Sequence, residues 1–300
     1  MYIDYIKISN LQIELAALLL LINLILSVVW QLGLSQNILI GAIRLIAQLL
    51  LVGYFLQWLF TIHNLGLVLL VALFMLSLAS YTAVKRTNRR FGGIYWNSFL
   101  SLLVSASFAT GLTISGVLHI TPWYDPKYSI PLLGMILSNA ISTTSLGLDS
   151  LLENMVRRSE EVEMLLTLGA TRWEAAHEIV KEAIRTGTIP VINYMMVIGL
   201  VNFPGIMTGQ LMIGMLPIDV VRFQITIAFA IAAGSILATI GVVMLTFRSL
   251  FTPDHRLQLQ RLRKVKNEPK LSQLFPLQQI LNIVKVLGQK IGKADGGISN

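Results

Sequence analysis

Formal charge is almost absent from two long stretches of this chain. Between Leu15 and Val84 the only charged side chain is Arg44, and from Phe91 to Tyr124 there is none. A soluble domain carries about 25% charged residues, whereas 13% of these 300 residues are charged and 55% are hydrophobic. Polar residues confined to short blocks between long apolar runs exclude a soluble globule. They predict an all-α polytopic membrane protein, because a helix satisfies its own backbone in lipid. The net charge of +8 could by itself suit nucleic acid, but the segregation of charge selects the lipid bilayer, and no nucleic-acid partner is expected. The chain has no cysteine, which excludes disulfides and thiolate chemistry. The N-terminus lacks the basic region and cleavage site of a signal peptide, so the first apolar run reads as a retained helix.

A hydrocarbon core of roughly 30 Å needs about 20 apolar residues per helix. Seven segments qualify: residues 11–32, 37–60, 65–84, 93–118, 129–149, 188–214 and 222–247. Thr61 to Asn64 with Gly66 supplies the turn between the second and third. With the C-terminus inside, the cytoplasmic pieces hold nineteen Lys and Arg and the external pieces three, namely Lys7, Lys127 and Arg222. That asymmetry predicts an external N-terminus and a cytoplasmic C-terminus in a cytoplasmic or inner membrane. The expected organisation is a membrane domain over 1–251, with a cytoplasmic helical hairpin at about 150–187, and a basic amphipathic tail over 252–300.

The hairpin is the most informative segment. Gly169 suits a helix C-terminus, and Thr171-Arg172-Trp173-Glu174 matches a capping box that starts the next helix. Val162, Leu165, Leu166 and Leu168 form an apolar stripe on the first helix, expected to pack on Ala176, Ile179, Val180, Ala183 and Ile184 of the second.

Glu163-Met164-Leu165 followed by Gly169-Ala170-Thr171-Arg172-Trp173 resembles the EAA loop of ABC-transporter permeases, with a Glu six residues before a Gly at a helix corner. Met and Leu replace the two Ala of the general motif. A closer resemblance, over about Ile43 to Phe251, is carried by IRLIAQLLLVGYFLQWLF, GMILSNAISTTSLGLDSLL, GATRWEAA and VINYMMVIGLVNFPGIMTGQLMIG. These strings are similar to the FetB-type permeases, linked in bacteria with iron export and in plants with aluminium tolerance and, in one case, nucleotide-sugar transport. The resemblance implies that Glu163, Gly169, Ala170, Thr171, Arg172 and Trp173 couple the chain to a separate ABC ATPase. ATP and Mg would then be held by that partner and no cofactor by this chain. It further implies a homodimer of permeases and, as cargo, a metal ion, with nucleotide sugar as the alternative substrate. The long fifth helix is the expected lever.

In the fifth span Ser138, Ser142, Ser145 and Asp149 fall on one helical face, widened by Asn139 and Thr143. The face is either glue between helices or, with Asn193 and Met196 of the sixth span, a translocation path. Pro190 is expected in the first turn of the sixth span, whereas Pro204-Gly205 must break it near Leu200. Gly205 to Gly209 is a G-x-x-x-G, read as helix contact or gate. The methionines crowding this span fit packing or a soft-metal path, so a metal site stays unknown. Arg44 and Asp149 are expected as interfacial charges, snorkelling or serving as countercharge.

Enzyme motifs are missing. His177-Glu178-Ile179-Val180-Lys181 lacks the second His of a zinc-protease helix, and Gly288 to Lys293 has the wrong spacing for a P-loop. The chain therefore reads as a transport subunit, not an enzyme. The rival reading is a secondary transporter or channel independent of ATP. In the tail, Arg256 to Lys270 is basic and suits anionic headgroups, and Leu277 to Leu287 has amphipathic helical spacing.

Overall fold

The computed structural model describes residues 10–30, 32–61, 64–252, 254 and 256–264. The helices are α1 (Asn10–Val29), α2 (Ser35–Leu59), α3 (Leu65–Lys85), α4 (Ile94–Gly111), α5 (Pro126–Arg157), α6 (Ser159–Thr167), α7 (Arg172–Val197), α8 (Gly205–Met212) and α9 (Pro217–Leu250). A π-helical turn, Leu112–Val117, extends α4, and two short strands, β1 (Arg89–Arg90) and β2 (Arg263–Lys264), pair antiparallel. Among the described residues, six helices are long and apolar enough to cross a membrane: α1, α2, α3, α4 with its extension, α5 and α9. The all-α membrane architecture is as the charge pattern requires.

The chain divides into two units. In the first, over residues 6–58, Ser27 closes the corner between α1 and α2 by accepting the Leu34 N–H (3.2 Å). The second, over 59–265, contains α3 to α9 and both strands.

Asparagine and aspartate set two helix starts in the second unit. Asn64 accepts the Gly66 N–H at 2.8 Å before α3, and Asp125 accepts the Lys127 N–H at 3.0 Å before α5, with Pro126 in the first turn. At 1.5 Å per residue, α5 and α9 reach roughly 48 and 51 Å, well beyond a hydrocarbon core of about 30 Å. Several turns of both helices must therefore stand clear of lipid, and the segment expected as a span over 129–149 is only the middle of α5.

The expected sixth span, 188–214, is not one helix. α7 already begins at Arg172 and runs unbroken to Val197; an irregular segment follows, and α8 restarts at Gly205. Pro190 accordingly lies deep inside α7 and not in a first turn. It removes one N–H from the ladder without ending the helix, because α7 is packed on both α5 and α9. The break itself is where Pro204-Gly205 requires it. Gly199 turns the chain with φ +82°, a conformation that costs a side chain steric strain.

Two apolar clusters fill the second unit. One lies at the α6–α7 end and includes Leu148, Leu151, Leu152, Met155, Ile179, Val180 and Phe247. The other, around Leu76, Leu102, Ile136, Leu137 and Ile231, joins α3, α4, α5 and α9. Where such a cluster is shielded from water, burial contributes about 1.5–3 kcal/mol per large side chain; where its surroundings are lipid, close packing must do the work instead. Small residues supply it. A Cβ on Gly187 of α7 would stand 2.9 Å from Gly147 Cα and 2.9 Å from the Thr143 carbonyl of α5, and 2.7 Å from Thr239 of α9. On α9, Gly234 admits Ile136 and Ala109, and Gly241 admits Ser101.

The beginning of the tail folds back. Phe251 bridges to Leu257, and Leu257, Leu259 and Leu262 pack on the first cluster before β2 pairs with β1, Arg89 opposite Lys264 and Arg90 opposite Arg263. The amphipathic stretch expected at Leu277 to Leu287 lies outside the described residues.

Candidate functional site at the elbow and the broken helix

The corner between α6 and α7 is closed from both sides. Gly169, with φ +91°, lets its own N–H reach the Leu166 carbonyl (3.1 Å) and the Ala170 N–H reach the Leu165 carbonyl (3.0 Å), the double bond of a Schellman ending. Thr171 then caps α7. Its hydroxyl accepts the Glu174 N–H at 3.3 Å, and the Glu174 carboxylate accepts the Thr171 N–H at 2.8 Å and its hydroxyl at 2.7 Å. Those bonds, the backbone one first, hold the Glu174 carboxyl below its usual pKa. Upstream, Arg158 forms a two-pronged pair with Glu161, both contacts 2.8 Å, which clamps the junction of α5 and α6.

The elbow hides part of its apolar surface and presents the rest. Val162 is buried, and Leu165 and Leu166 pack with Ala176, Ile179 and Ala183, as the stripe predicts. Leu168 does not join them. It occupies the cap position past the last turn of α6 and is 77% exposed, beside Met164 at 56% and Trp173 at 42%. Glu163, Gly169 and Thr171 are also exposed, and Ala170 and Arg172 are half-buried. The Trp173 ring meets His177 and Phe247 edge-on at 5.2 and 5.8 Å, and Phe247 meets Phe251 at 5.3 Å, so the elbow rests on the end of α9. The helix continuous with the capped corner is α7; α5 ends at Arg157, ahead of α6. α7 and not α5 is therefore the rod that starts at the corner.

The polar face of α5 serves several purposes. Ser138 and Asn139 bond back to the Met135 carbonyl at 3.0 and 3.1 Å. Thr143 lies between the carbonyls of Ala140 (3.1 Å) and Ser235 on α9 (3.4 Å), and Ser145 between those of Ile141 and Ala83 on α3, the latter 3.0 Å away. These two are buried inside helix contacts. Ser142 is half-buried and accepts from Arg86 at 3.4 Å. Asp149 accepts the Asn88 backbone N–H (2.8 Å) and side-chain amide (3.1 Å), and Glu153 holds Arg89 at 2.8 Å. The α3–α4 loop is thus stapled along α5 by Arg86, Asn88 and Arg89. From sequence, Lys85 to Arg90 speaks only to orientation. The acidic and hydroxyl residues of α5 at 142, 149 and 153, two helical turns and then one apart, are the signal that could have found the staple.

Asn193 and Met196 are exposed on the last turns of α7. Pro204 is the cap of α8, and Gly205 and Gly209 are exposed with no atom within 4 Å of a Cβ placed on either. Arg44 is exposed on α2. Among the described residues, no group of three His, Cys, Asp or Glu could hold a metal. The residues expected to line a path therefore fall into a buried, helix-joining pair, Thr143 and Ser145, and an accessible set, Asn139, Ser142, Asn193 and Met196.

Comparison with known proteins gives a consistent family. The family described as "Uncharacterised protein family (UPF0014)" matches residues 10–251. The chain is 34% identical over 248 residues to the UPF0014 membrane protein YjkA of Bacillus subtilis, covering 83% of this chain and 98% of the relative. It is 30% identical over 259 residues to the "Probable iron export permease protein FetB" of Escherichia coli, covering 86% and 98%. It is 32% identical over 243 residues to the protein ALUMINUM SENSITIVE 3 of Arabidopsis thaliana, covering 81% and 88%. No solved structure matches.

Proposed function

Because the chain belongs to the UPF0014 family of membrane proteins, we propose that it is the permease subunit of an ABC transporter, exporting a metal ion of iron-like kind. A separate ATPase chain supplies the energy by hydrolysing MgATP. The cargo is inferred from the relative named as an iron export permease. The observation that carries the ABC reading is the exposed apolar elbow, Met164, Leu168 and Trp173, at the head of an unbroken helix. Apolar side chains on a rigid corner outside the lipid are a surface for a partner.

In this reading the ATPase grips the elbow from the cytoplasm, with the N-terminus of the permease outside. Closure on ATP pushes the Schellman-capped corner. α7, about 39 Å long, carries the displacement past the tight Gly147–Gly187 crossing to the break at Ile198 to Pro204. The chain works as a pair, and the open Gly205–Gly209 face of α8 is the contact between copies.

The test is co-purification. The chain is expected to bring an ABC ATPase with it from membranes, and Leu168→Asp to lose that ATPase while still inserting. Full transport by the isolated chain without ATP would overturn the reading in favour of a secondary carrier.

A further inference from the structure

The break between α7 and α8 opens onto a cavity of about 360 Å³. The irregular segment contributes Gly199 and Phe203, α8 contributes Met207, and α9 contributes Gln224, Ile225 and Ala228. Gln224 is 6% exposed, and its side-chain Oε1 is buried without a hydrogen-bond partner in an otherwise apolar wall. Buried amide oxygens are rarely left unpaired, because the water they lose is not replaced. The volume is that of a small-molecule site.

From this juxtaposition we infer that the cavity binds a small uncharged molecule, or a metal held in an uncharged chelate, whose hydroxyl or amide N–H donates to Gln224 Oε1. A bare cation does not fit. Every lining residue is uncharged, and the side chains offer a small cation one amide oxygen and one thioether, with no carboxylate to offset the hydration it must shed. The place also matters. Val197, where α7 ends, lies ten residues beyond Gly187, roughly 15 Å along the rod from its crossing with α5. A displacement of the elbow therefore arrives at the wall that Gly199 and Phe203 form. Interrupted helices with freed backbone line the substrate sites of many membrane transporters. The inference deepens the transport reading by naming the form in which a metal cargo passes, an uncharged chelate; it rests on that reading for the ligand's role as cargo and its coupling to ATP, while binding in the cavity stands apart from it.

The chain has no cysteine, so Ala228→Cys reports on the cavity alone. The protein in phosphatidylcholine nanodiscs is treated with neutral methyl methanethiosulfonate, with 1-naphthol, 1-methoxynaphthalene or ferrous ion as competitor. 1-Naphthol is expected to slow modification at about tenfold lower concentration than its methoxy analogue, the worth of roughly one hydrogen bond. Gln224→Leu, in the same background, is expected to erase that difference. Ile225→Cys, on the more exposed wall, gives the same reading if Ala228→Cys misfolds. Equal protection by both naphthalenes, absence of protection by either, or protection by ferrous ion alone would overturn the inference. Adding the ATPase and ATP separates the two claims: a labelling rate indifferent to ATP, with naphthol discrimination intact, would defeat the coupling and leave the site standing.

Discussion

Gly187 is the residue on which most packing depends. A methyl group there meets backbone on α5, which cannot rotate away as a side-chain tip can. Gly187→Ala is expected to cost about 1–3 kcal/mol, read as a lower thermal midpoint in detergent. Gly205→Ala, with open space around it, is expected to leave that midpoint unchanged while reducing cross-linking between copies. At the elbow, Thr171→Ala removes a cap worth about 1 kcal/mol, or roughly fivefold faster amide exchange at the start of α7. Glu174 adds a pH dependence of known sign. Its folded pKa is depressed, so its contribution is present above the ordinary Glu value of about 4.3 and fades as pH falls through the folded value. Amide exchange over residues 171–175, corrected for its intrinsic rate, is expected to be flat from pH 6 to 8 and to accelerate only in acid. The corner itself is legible in the sequence, since Gly169, Thr171 and Glu174 act through bonds only a few residues apart. The exposure of Leu168 is not, because periodicity assigns a face only within a helix and Leu168 stands one position past the end.

At the scale of elements, the difference lies in which helix is continuous. Apolar runs give the membrane portion of α5 and α9 but are silent about how far a helix persists into charged sequence, so they do not reveal that the hairpin helix joins the segment after Thr188. Pro190 argues for a boundary there, and tertiary packing at Gly147 and Gly187 outweighs it. A lever that long invites a mechanical test: Lys181→Gly with Glu182→Gly, both on the exposed side of α7, adds about 1 kcal/mol of helix penalty each without touching the packed face. ATPase association is expected to survive and cargo moved per ATP to fall, measured in reconstituted vesicles. The break near Leu200 is legible because Pro and Gly act on the backbone directly; the cavity beside it depends on Gln224, two turns into α9, and no local pattern ties those segments together.

For the whole molecule, charge segregation is enough to establish a helical membrane protein, because lipid leaves a chain few alternatives. Contacts between distant segments are beyond it. The pairing of β1 with β2 is an example: Arg89 and Arg90 opposite Lys264 and Arg263 places like charges together, an arrangement that cross-strand preferences oppose. Glu153 beside Arg89 relieves part of the repulsion. A chain ending at Phe251 is expected to insert normally yet to be cut faster by trypsin after Arg89 and Arg90, as followed by gel and mass spectrometry. The same pairing sets an order on biosynthesis. Six further helices, α4 to α9, leave the ribosome between the two strands, so the loop made early is held only by its contacts to α5 until β2 emerges. A message cut between the codons for Phe251 and Arg263 would therefore yield a protein with α1 to α9 in place and a loop clamped to α5 but lacking its strand partner.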